Sequence, residues 1–397
     1  MNNTICGLDV ASTSARASLC RSRRGTACEL DLPATSQGEK TLLEVLPPKS
    51  TVVMESTGRY HLRWARCLAR AGHHVYVLNA LLAKRLIGSD NALRQNKTDK
   101  IDARQLADIG HREIASLERF RFREDIALSR LRELCKVRKQ QRALLTEVLA
   151  MAAHSLGMIL PEADPLALRF ARNRALAELF IAARGLQHLR GMRRATLAQR
   201  LGATGIALHQ LLRQPLSAAD SFDALLPCLQ AHLKLIIVLR DQLLELDAHI
   251  REALELSGRK KQAELVQSIP GFGEKTIPAI VASLPEGWEH WDTRRKNANK
   301  LQAMFGFDPR LRQSGKWEGK VKMTKRGTEL ARTAFFQVAV CSLRHDPQMR
   351  EMYQRQRAAG KHHGVALSNI MRRQLRRMVA VLTDQKPFVH HNLLAAA

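Results

Sequence analysis

The feature that most constrains the fold of this chain is the order of short apolar runs and helical stretches in its first third. Three runs with strand character follow one another at short spacing, at residues 4–10, 15–20 and 27–32, which predicts an antiparallel meander. Helices at 37–46 and 59–71 then alternate with strands at 51–55 and 74–78, and a further helix follows around residue 99. This alternation predicts parallel strands added to the same sheet. We therefore predict an α/β domain over residues 1–122.

Two of the predicted strands end on a carboxylate, and two more carboxylates open the last helix. Asp9 closes the first strand and Glu55 closes the fourth. Asp99 and Asp102 are three residues apart, so they share one face of a helix. Strand ends and helix starts at one edge of a sheet can converge. Four such carboxylates predict a site for two Mg²⁺ ions, which take oxygen ligands and can clamp the attacking and leaving oxygens of a phosphodiester.

A simpler reading of Asp99 and Asp102 exists when they are taken alone. They lie among Lys97, Lys100 and Arg104, so they could belong to a solvated helix face of alternating charge. Each of the four acids, taken singly, could equally be a helix cap or a partner in a surface salt bridge. The strand-and-helix order that all four share favours the metal site.

The charge of the chain indicates a polyanionic partner. With 64 Lys and Arg against 37 Asp and Glu, the formal net charge is +27, which is typical of proteins that bind nucleic acid. Aromatic residues make up only 5% of the chain, so recognition mainly by base stacking is not favoured. A membrane surface is the competing anion, but we find no run of about 18 apolar residues that would span a bilayer.

The cysteines and the N-terminus indicate a cytoplasmic protein. Seven cysteines are scattered without a C-x-x-C pair, whereas a zinc site or a disulfide framework needs tighter, paired spacing. We expect them to be reduced thiols. A secretory signal is not expected either, because Asn2, Asn3 and Asp9 interrupt the start of the chain.

From about Phe122 to Gly258 the pattern changes to long helices, which predicts a helical region over residues 123–258. Apolar residues recur there at spacings of three and four, the a/d pattern of a coiled coil: Leu229, His232, Ile236, Leu239, Leu243, Leu246, Ile250 and Ala253. A weaker stripe could be its partner: Leu131, Leu134, Leu145 and Val148. Residues 157–222 contain no catalytic constellation. We assign the region to spacing and oligomerisation.

The third predicted domain, residues 259–397, opens with a helix-hairpin-helix pattern. Residues 269–276 read Ile-Pro-Gly-Phe-Gly-Glu-Lys-Thr. Gly271 and Gly273 would let backbone N–H groups approach a phosphate, with Lys275 beside them. A plain connection between two core helices is the alternative. The segment that follows is basic and broken by glycines, which predicts a phosphate-facing surface: Arg310, Arg312, Lys316, Lys320, Lys322, Lys325, Arg326 and Arg332.

Together these motifs resemble the DEDD transposases of bacterial insertion sequences, relatives of the Piv invertase, some of which are bridge-RNA-guided recombinases. The resemblance rests on these segments: Gly7-Leu8-Asp9, Met54-Glu55-Ser56-Thr57-Gly58, Lys97-Thr98-Asp99-Lys100-Ile101-Asp102-Ala103, Pro270-Gly271-Phe272-Gly273, and Arg312-Gln313-Ser314-Gly315 followed by Thr324-Lys325-Arg326-Gly327. It covers about 1–120 and about 259–385, and it matches the helical middle only in kind. It implies a RuvC-type, RNase H-like first domain, a helical coiled-coil region, and a mainly α C-terminal domain with the helix-hairpin-helix.

The resemblance also implies roles for individual residues. Asp9, Glu55, Asp99 and Asp102 would form the metal-binding tetrad, and Ser314 would be the nucleophile that forms a covalent phosphoserine link with DNA. Other hydroxyl groups compete with Ser314: Ser283, Thr324 and Ser368. We favour Ser314 because it alone stands in a Gln-Ser-Gly context inside the basic segment.

For partners, the resemblance implies donor and target DNA, a structured noncoding guide RNA, and dimers or tetramers whose two domains act together in trans. The location would be the bacterial cytoplasm, in association with the nucleoid. The alternative function is a structure-specific endonuclease of the junction-resolving kind, which would need the carboxylates and the metal but no serine. A non-catalytic nucleic-acid-binding protein would need neither, and the motifs favour it least.

Overall fold

The computed structural model describes residues 4–22, 28–88, 99–163, 173–310, 313–314, 317–318 and 322–389. Within these ranges only the backbone is described at some positions, among them 99–101, 309–310, 313–314, 317–318 and 322. The described residues form two compact units, Met1–Asp125 and Ile126–Ala397. Each unit is considered by itself.

The first unit is built on a mixed sheet of five strands: β1 (Ile5–Val10), β2 (Ser14–Cys20), β3 (Cys28–Pro33), β4 (Thr51–Glu55) and β5 (His74–Leu78). Their order is β3-β2-β1-β4-β5. Strands β1, β2 and β3 pair antiparallel, and β1, β4 and β5 pair parallel. This mixed five-stranded sheet agrees with the predicted α/β domain of RuvC type.

Helices cover both faces of this sheet: α1 (Ser36–Val45), α2 (Tyr60–Arg70), α3 (Ala80–Gly88) and α4 (Asp99–Leu117). Because side chains alternate along a strand, β1 contributes to two cores. Leu8 packs in one core with Leu42 of α1 and Trp64 of α2. Ile5 packs in the other with Leu106 of α4. The sheet is therefore the middle of three layers.

The second unit is mainly helical. Its helices are α5 (Ile126–Ile159), α6 (Arg174–Ala182), α7 (Leu186–Arg190), α8 (Arg194–Leu201), α9 (Ala203–Leu212), α10 (Ala219–Leu256), α11 (Lys260–Gln267), α12 (Ile277–Ser283), α13 (Arg294–Phe305), α14 (Glu329–His345), α15 (Pro347–Ala358) and α16 (His363–Asp384). Four two-residue strands follow α13: β6 (Pro309–Arg310), β7 (Gln313–Ser314), β8 (Trp317–Glu318) and β9 (Lys322–Met323).

The two longest helices, α5 with 34 residues and α10 with 38, form an antiparallel pair. Arg130 contacts Glu252 near one end of the pair, and Ser155 contacts His232 near the other. Most of the stripe predicted on α10 is buried in this pairing or in the adjoining cores: Leu229, Ile236, Leu239, Leu243, Ile250 and Ala253. The stripe is therefore covered within the chain. A coiled coil in the strict sense stays a prediction.

By length and composition alone, α5 and α10 are also apolar enough to cross a membrane, among the helices that the structure describes. From the sequence alone we expected no segment that could span a membrane, so these two candidates differ from that expectation. The indication is weak, because core helices of soluble proteins pass the same test. Here Arg138 of α5 forms an ion pair with Asp247 of α10, and both helices contribute to one apolar core.

One apolar core joins the start of α5 to the C-terminal helices. Leu131 of α5 and Ile250 of α10 belong to the same cluster as Ile280, Phe335 and Leu375. Most of the helical region and the C-terminal part thus lie in one compact unit. The division of that unit at residue 258 stays a prediction.

Candidate functional site

Asp9 and Glu55 lie at the ends of adjacent parallel strands. The last paired residues of β1 and β4 are Leu8 and Met54, so the two acids follow them directly and occupy the same level. Because Cβ atoms alternate along a strand, Asp9 and Gly7 are on the same face of β1. That face is the one that packs against α4, since the neighbouring Ile5 lies in the core shared with α4.

Helix α4 approaches β1 so closely that Gly7 has no room for a side chain. A Cβ atom on Gly7 would lie 1.9 Å from the carbonyl oxygen of Ala103 and 2.5 Å from the amide nitrogen of Ala107. Both contacts are with backbone atoms, which side-chain rotation cannot relieve. Glycine at this position is therefore required for α4 to pack on the sheet as it does.

The same packing fixes the direction in which α4 crosses the sheet. A Cβ on Gly110 would lie 2.6 Å from Cγ2 of Ile5, so the later part of α4 lies over the start of β1, and Ala103 lies over Gly7. Asp99 begins the helix, one turn before Ala103 and on the same face. The start of α4, with Asp99 and Asp102, is thereby directed to the edge of the sheet where Asp9 and Glu55 lie.

Sequence reasoning missed the residues that make this crossing possible. Ala103, Ala107 and Gly110 form a row of small residues at helical spacing, opposite the single glycine of β1. That row was readable in the sequence as a helix face suited to close backbone packing.

The donor set at this edge suits a hard divalent cation, since it consists of carboxylates. Asp9, Glu55 and Asp102 are each half-buried. Within the described part of the chain, no three His, Cys, Asp or Glu residues form a group that could hold a metal ion. The side chain of Asp99 lies outside the described residues, and the tetrad stays a prediction.

Ser314 lies in the segment from β6 to β9 that follows α13, whose nested antiparallel strand pairs we call the hairpin. The outer strands β6 and β9 pair antiparallel, with Arg310 opposite Lys322. The inner strands β7 and β8 also pair antiparallel, with Ser314 opposite Trp317. The backbone of Ser314 is thus held in the inner strand pair of this hairpin.

The base of this hairpin is held by backbone hydrogen bonds. Thr324 N–H donates to Asp308 and Lys325 N–H donates to Gly306. Arg332 donates from its guanidinium to the carbonyl oxygens of Phe305 and Lys325. One cation of the basic segment, Arg332, therefore has a structural contact that the sequence did not reveal.

The structure describes the other predicted phosphate-binding cations to different extents. Lys325 and Arg326 are exposed. Arg310 and Lys322 have only their backbone described, as partners in the β6–β9 pair. Three lie outside the described residues: Arg312, Lys316 and Lys320.

The hydroxyl groups that compete with Ser314 are mostly covered. Ser283 is buried and donates to the carbonyl oxygen of Ala279 in its own helix. Ser368 is also buried, and Thr324 is half-buried. Burial makes Ser283 and Ser368 poor candidates for attack on a polymer. The choice of Ser314 as the nucleophile stays a prediction.

The predicted helix-hairpin-helix turn connects α11 to α12. Gly271 has a φ of +97°, and a Cβ there would lie 2.1 Å from Oγ of Ser342. Its glycine is explained by packing against α14. Gly273 and Lys275 are exposed, and Lys275 lies 3.8 Å from a carboxylate oxygen of Asp247. The helix-hairpin-helix stays a prediction, with only the second half of its turn open to a ligand.

Two family models match the chain. The first, a DEDD transposase model of IS110 type described as "Transposase", matches residues 6–156. The second, described as "Transposase IS116/IS110/IS902 family", matches residues 263–354. The first match contains all four candidate carboxylates, and the second contains Ser314 and the hairpin that carries it. A DEDD domain indicates, in general terms, dependence on a divalent metal.

Relatives with similar sequences come from insertion elements and from a gene-inversion system. The chain is 28% identical to the 42 kDa protein of insertion element IS900 from Mycobacterium paratuberculosis, over 46% of each chain. It is 29% identical to the 44.8 kDa protein of IS116 from Streptomyces clavuligerus, over 44% of this chain and 43% of the relative. It is 27% identical to the pilin gene-inverting protein of Moraxella bovis, over 37% of this chain and 45% of the relative. The chain thus spans less than half the length of each of these relatives.

Proposed function

Since the chain belongs to the DEDD transposases of bacterial insertion sequences, we propose that it cuts and rejoins DNA as a transposase or site-specific recombinase. The observation that carries this proposal is the crossing of α4 over Gly7, because it directs Asp99 and Asp102 toward the sheet edge that Asp9 and Glu55 occupy. The net charge of +27 suits a DNA substrate. We place the protein in the bacterial cytoplasm, in association with the nucleoid.

Asp9, Glu55, Asp99 and Asp102 would hold the metal, which we propose to be two Mg²⁺ ions. When bound, such ions polarise a phosphodiester and neutralise charge that develops on its oxygens. The protein fixes the positions of these carboxylates. Asp9 and Glu55 are fixed by the paired strands behind them, and Asp102 is fixed by a helix that backbone contacts hold against β1.

Ser314 is the proposed nucleophile. Its Oγ would form a bond to phosphorus while the bond from phosphorus to one sugar oxygen breaks, and the departing sugar hydroxyl takes up the proton that the serine loses. The resulting phosphoserine ester retains the reactive phosphate, so a second DNA hydroxyl can reverse the step and complete an exchange. Lys325 and Arg326 at the exposed base of the hairpin suit a role in neutralising the DNA backbone.

Replacing Ser314 by Ala tests this role and separates a recombinase from a junction-resolving endonuclease. We expect loss of strand exchange and of the covalent protein–DNA product by about a thousandfold or more, because no other group supplies the bond to phosphorus. The measurement is recombination of a DNA substrate together with a denaturing gel for the covalent product. Ser116→Ala, an exposed serine on α4, is the control and is expected to behave as the wild type. Strand exchange at the wild-type rate in Ser314→Ala would contradict the proposal, and intact metal-dependent cleavage without exchange would favour the endonuclease.

A structured noncoding guide RNA is the second proposed nucleic-acid partner. The basic surface suits RNA as well as DNA. Sequencing the RNA that co-purifies from cells carrying the native flanking DNA tests the idea. One short RNA from the element's end supports it, and only a heterogeneous mixture of cellular RNA contradicts it.

We further propose that the protein assembles as a dimer or tetramer through α5. Four apolar residues at intervals of seven are exposed on this helix: Val137 (39%), Leu144 (43%), Met151 (51%) and Met158 (52%). A seven-residue interval keeps them on one side of the helix, so two copies of the stripe can pack along each other. The stripe predicted on α10 is largely covered within the chain, which is why the assembly surface is assigned to α5 instead.

The double variant Leu144→Lys/Met151→Lys is expected to lower the assembled fraction at least tenfold, because it buries two charges in the proposed contact. Light scattering at several protein concentrations measures the mass. The matched control Ala143→Lys/Ala150→Lys adds the same two charges to exposed positions one residue away, and it should leave the mass unchanged. A wild type that is monomeric throughout, or equal masses for both variants and the wild type, contradicts the assignment.

A further inference from the structure

A groove between α15 and α16 collects positive charge. Its volume is about 730 Å³. Its cations come from both helices and the connection between them: Arg355, Lys361, Arg372, Arg373 and Arg376. Glu351 is the one acid among the described residues that line the groove. None of these residues belongs to the metal site, the hairpin or the helix-hairpin-helix turn.

The arginines of α16 differ in their surroundings. Arg377 points into the protein, where it forms an ion pair with buried Asp346 and lies 4.8 Å over the ring of Phe388. Arg373 and Arg376 are exposed in the groove instead. Among the described residues, Arg355, Arg373 and Arg376 form no salt bridge with an acid. The charge of the groove is therefore available to a ligand.

The surroundings of Arg372 make its positive charge energetically unfavourable in the absence of a ligand. This residue is half-buried, and it lies four positions from Arg376 on the same helix, where like charges repel. Burial lowers the pKa of its guanidinium, and Arg376 lowers it further, while Asp308 acts in the opposite direction. Its Nε atom is buried without a hydrogen-bond acceptor. An anion in the groove would relieve the repulsion and could supply an acceptor.

The walls of the groove are held together by polar side chains. Asn369 of α16 donates to Gln356 of α15 and accepts from Arg372. At the other end, Arg377 donates to Gln348 of α15. These cross-links fix the spacing of the two helices before any ligand binds, which lowers the entropy lost on binding.

We propose that this groove binds the phosphodiester backbone of one nucleic-acid strand. Its volume is that of a small-molecule pocket, so it accepts a short stretch of one strand and excludes a duplex from entering as a whole. The described residues of the lining include no aromatic side chain, so they offer bases no stacking platform, and we expect the contact to be independent of sequence. The inference rests on the proposed function for the identity of the polyanion, and DNA and RNA share the backbone chemistry.

The test is nucleic-acid binding by the full chain in the presence of EDTA, so that cleavage does not take part. Fluorescent single-stranded DNA and RNA of the same sequence serve as probes between about 50 and 300 mM salt. The variant Arg355→Ala/Arg373→Ala/Arg376→Ala is expected to bind at least tenfold more weakly at low salt. The slope of log affinity against log salt should fall by about two, since each lost phosphate contact removes roughly 0.7 from it.

A matched control removes the same charge elsewhere. Arg193→Ala/Arg194→Ala/Arg200→Ala takes three exposed arginines from α8 and the residue before it, and its salt slope should change by less than about one. Equal losses in both triple variants would show that only net charge matters and would overturn the groove. Wild-type binding in the groove variant would also overturn it, while leaving the proposed function intact. Failure of the wild type to bind either probe would instead overturn the proposed function.

A second variant is expected to strengthen nucleic-acid binding, so its effect cannot be explained by the loss of a contact. Glu351→Gln removes the acid from the lining, so binding of the single-stranded probes should tighten about two- to fivefold. An unchanged or weaker affinity would contradict the proposed path of the strand. A loss in the triple variant that appears with one probe and not with the other assigns the groove to that nucleic acid.

Discussion

Asp9→Asn is expected to lower metal-dependent strand cleavage by about a thousandfold or more, with little change in stability. The change keeps the size of the side chain and removes its negative charge, at the end of a strand that is paired on both sides. A neutral amide is a much weaker ligand for a divalent cation than a carboxylate. Binding of DNA in EDTA should be unchanged or slightly tighter, because one negative charge has been removed near the phosphate path.

The matched control for Asp9→Asn is Glu44→Gln, an exposed acid on α1. Helix α1 packs on the other face of the sheet, with Leu42 in the core that contains Leu8. Cleavage by this control should equal that of the wild type. Cleavage rates within about threefold of each other for wild type, Asp9→Asn and Glu55→Gln would remove the carboxylates from the mechanism.

Gly7→Ala is expected to damage both stability and activity. The added methyl group would lie 1.9 Å from the Ala103 carbonyl oxygen, so α4 must move away from β1. We expect the free energy of unfolding to fall by about 3 kcal/mol, which is at the upper end for overpacking in a core. Cleavage should fall about a hundredfold further than stability explains, because a displacement of about 1 Å of the acids on α4 is enough to misplace them. Thermal unfolding and cleavage below the unfolding transition measure the two effects.

Gly157→Ala is the control for this substitution. Gly157 is an exposed glycine within α5, and a Cβ there meets nothing within 4 Å. Alanine favours a helix over glycine by about 1 kcal/mol, so this variant should be as stable as the wild type or more so. A Gly7→Ala protein with wild-type stability and activity would mean that α4 does not pack on β1 as described.

Local pattern was sufficient to predict the first unit. The strands that end at Asp9 and Glu55 are short, apolar and bounded by turns, and their pairing follows from whether a helix separates them. The close crossing of α4 was less accessible. It depends on contacts between Gly7 and Ala103, residues too far apart in sequence for periodicity to connect.

In the second unit, the periodicity of apolar residues predicts the helices but not which surfaces they pack against. The spacing of the stripe that includes Leu239 and Leu243 predicts an apolar helix face, but it does not say whether the partner helix is in the same chain. The structure pairs α10 with α5 of the same chain. Similarly, the sequence of α16 shows that the helix is rich in arginine, but it does not show which arginines are exposed. Arg377 is buried with Asp346, whereas Arg373 and Arg376 line the groove. The phosphate-binding role of Gly271 stays a prediction, and the close approach of Ser342, which leaves no room for a Cβ there, is a packing reason for glycine that the sequence did not reveal.

The most direct test of the carboxylate site is the binding of Mn²⁺, followed by electron paramagnetic resonance, to the wild type, Asp9→Asn and Glu44→Gln. Mn²⁺ takes the same oxygen ligands as Mg²⁺ and reports its own occupancy. We expect a saturable Mn²⁺ site in the wild type and in Glu44→Gln, and an affinity for Mn²⁺ at least tenfold lower in Asp9→Asn. Equal Mn²⁺ binding by all three proteins would contradict this expectation.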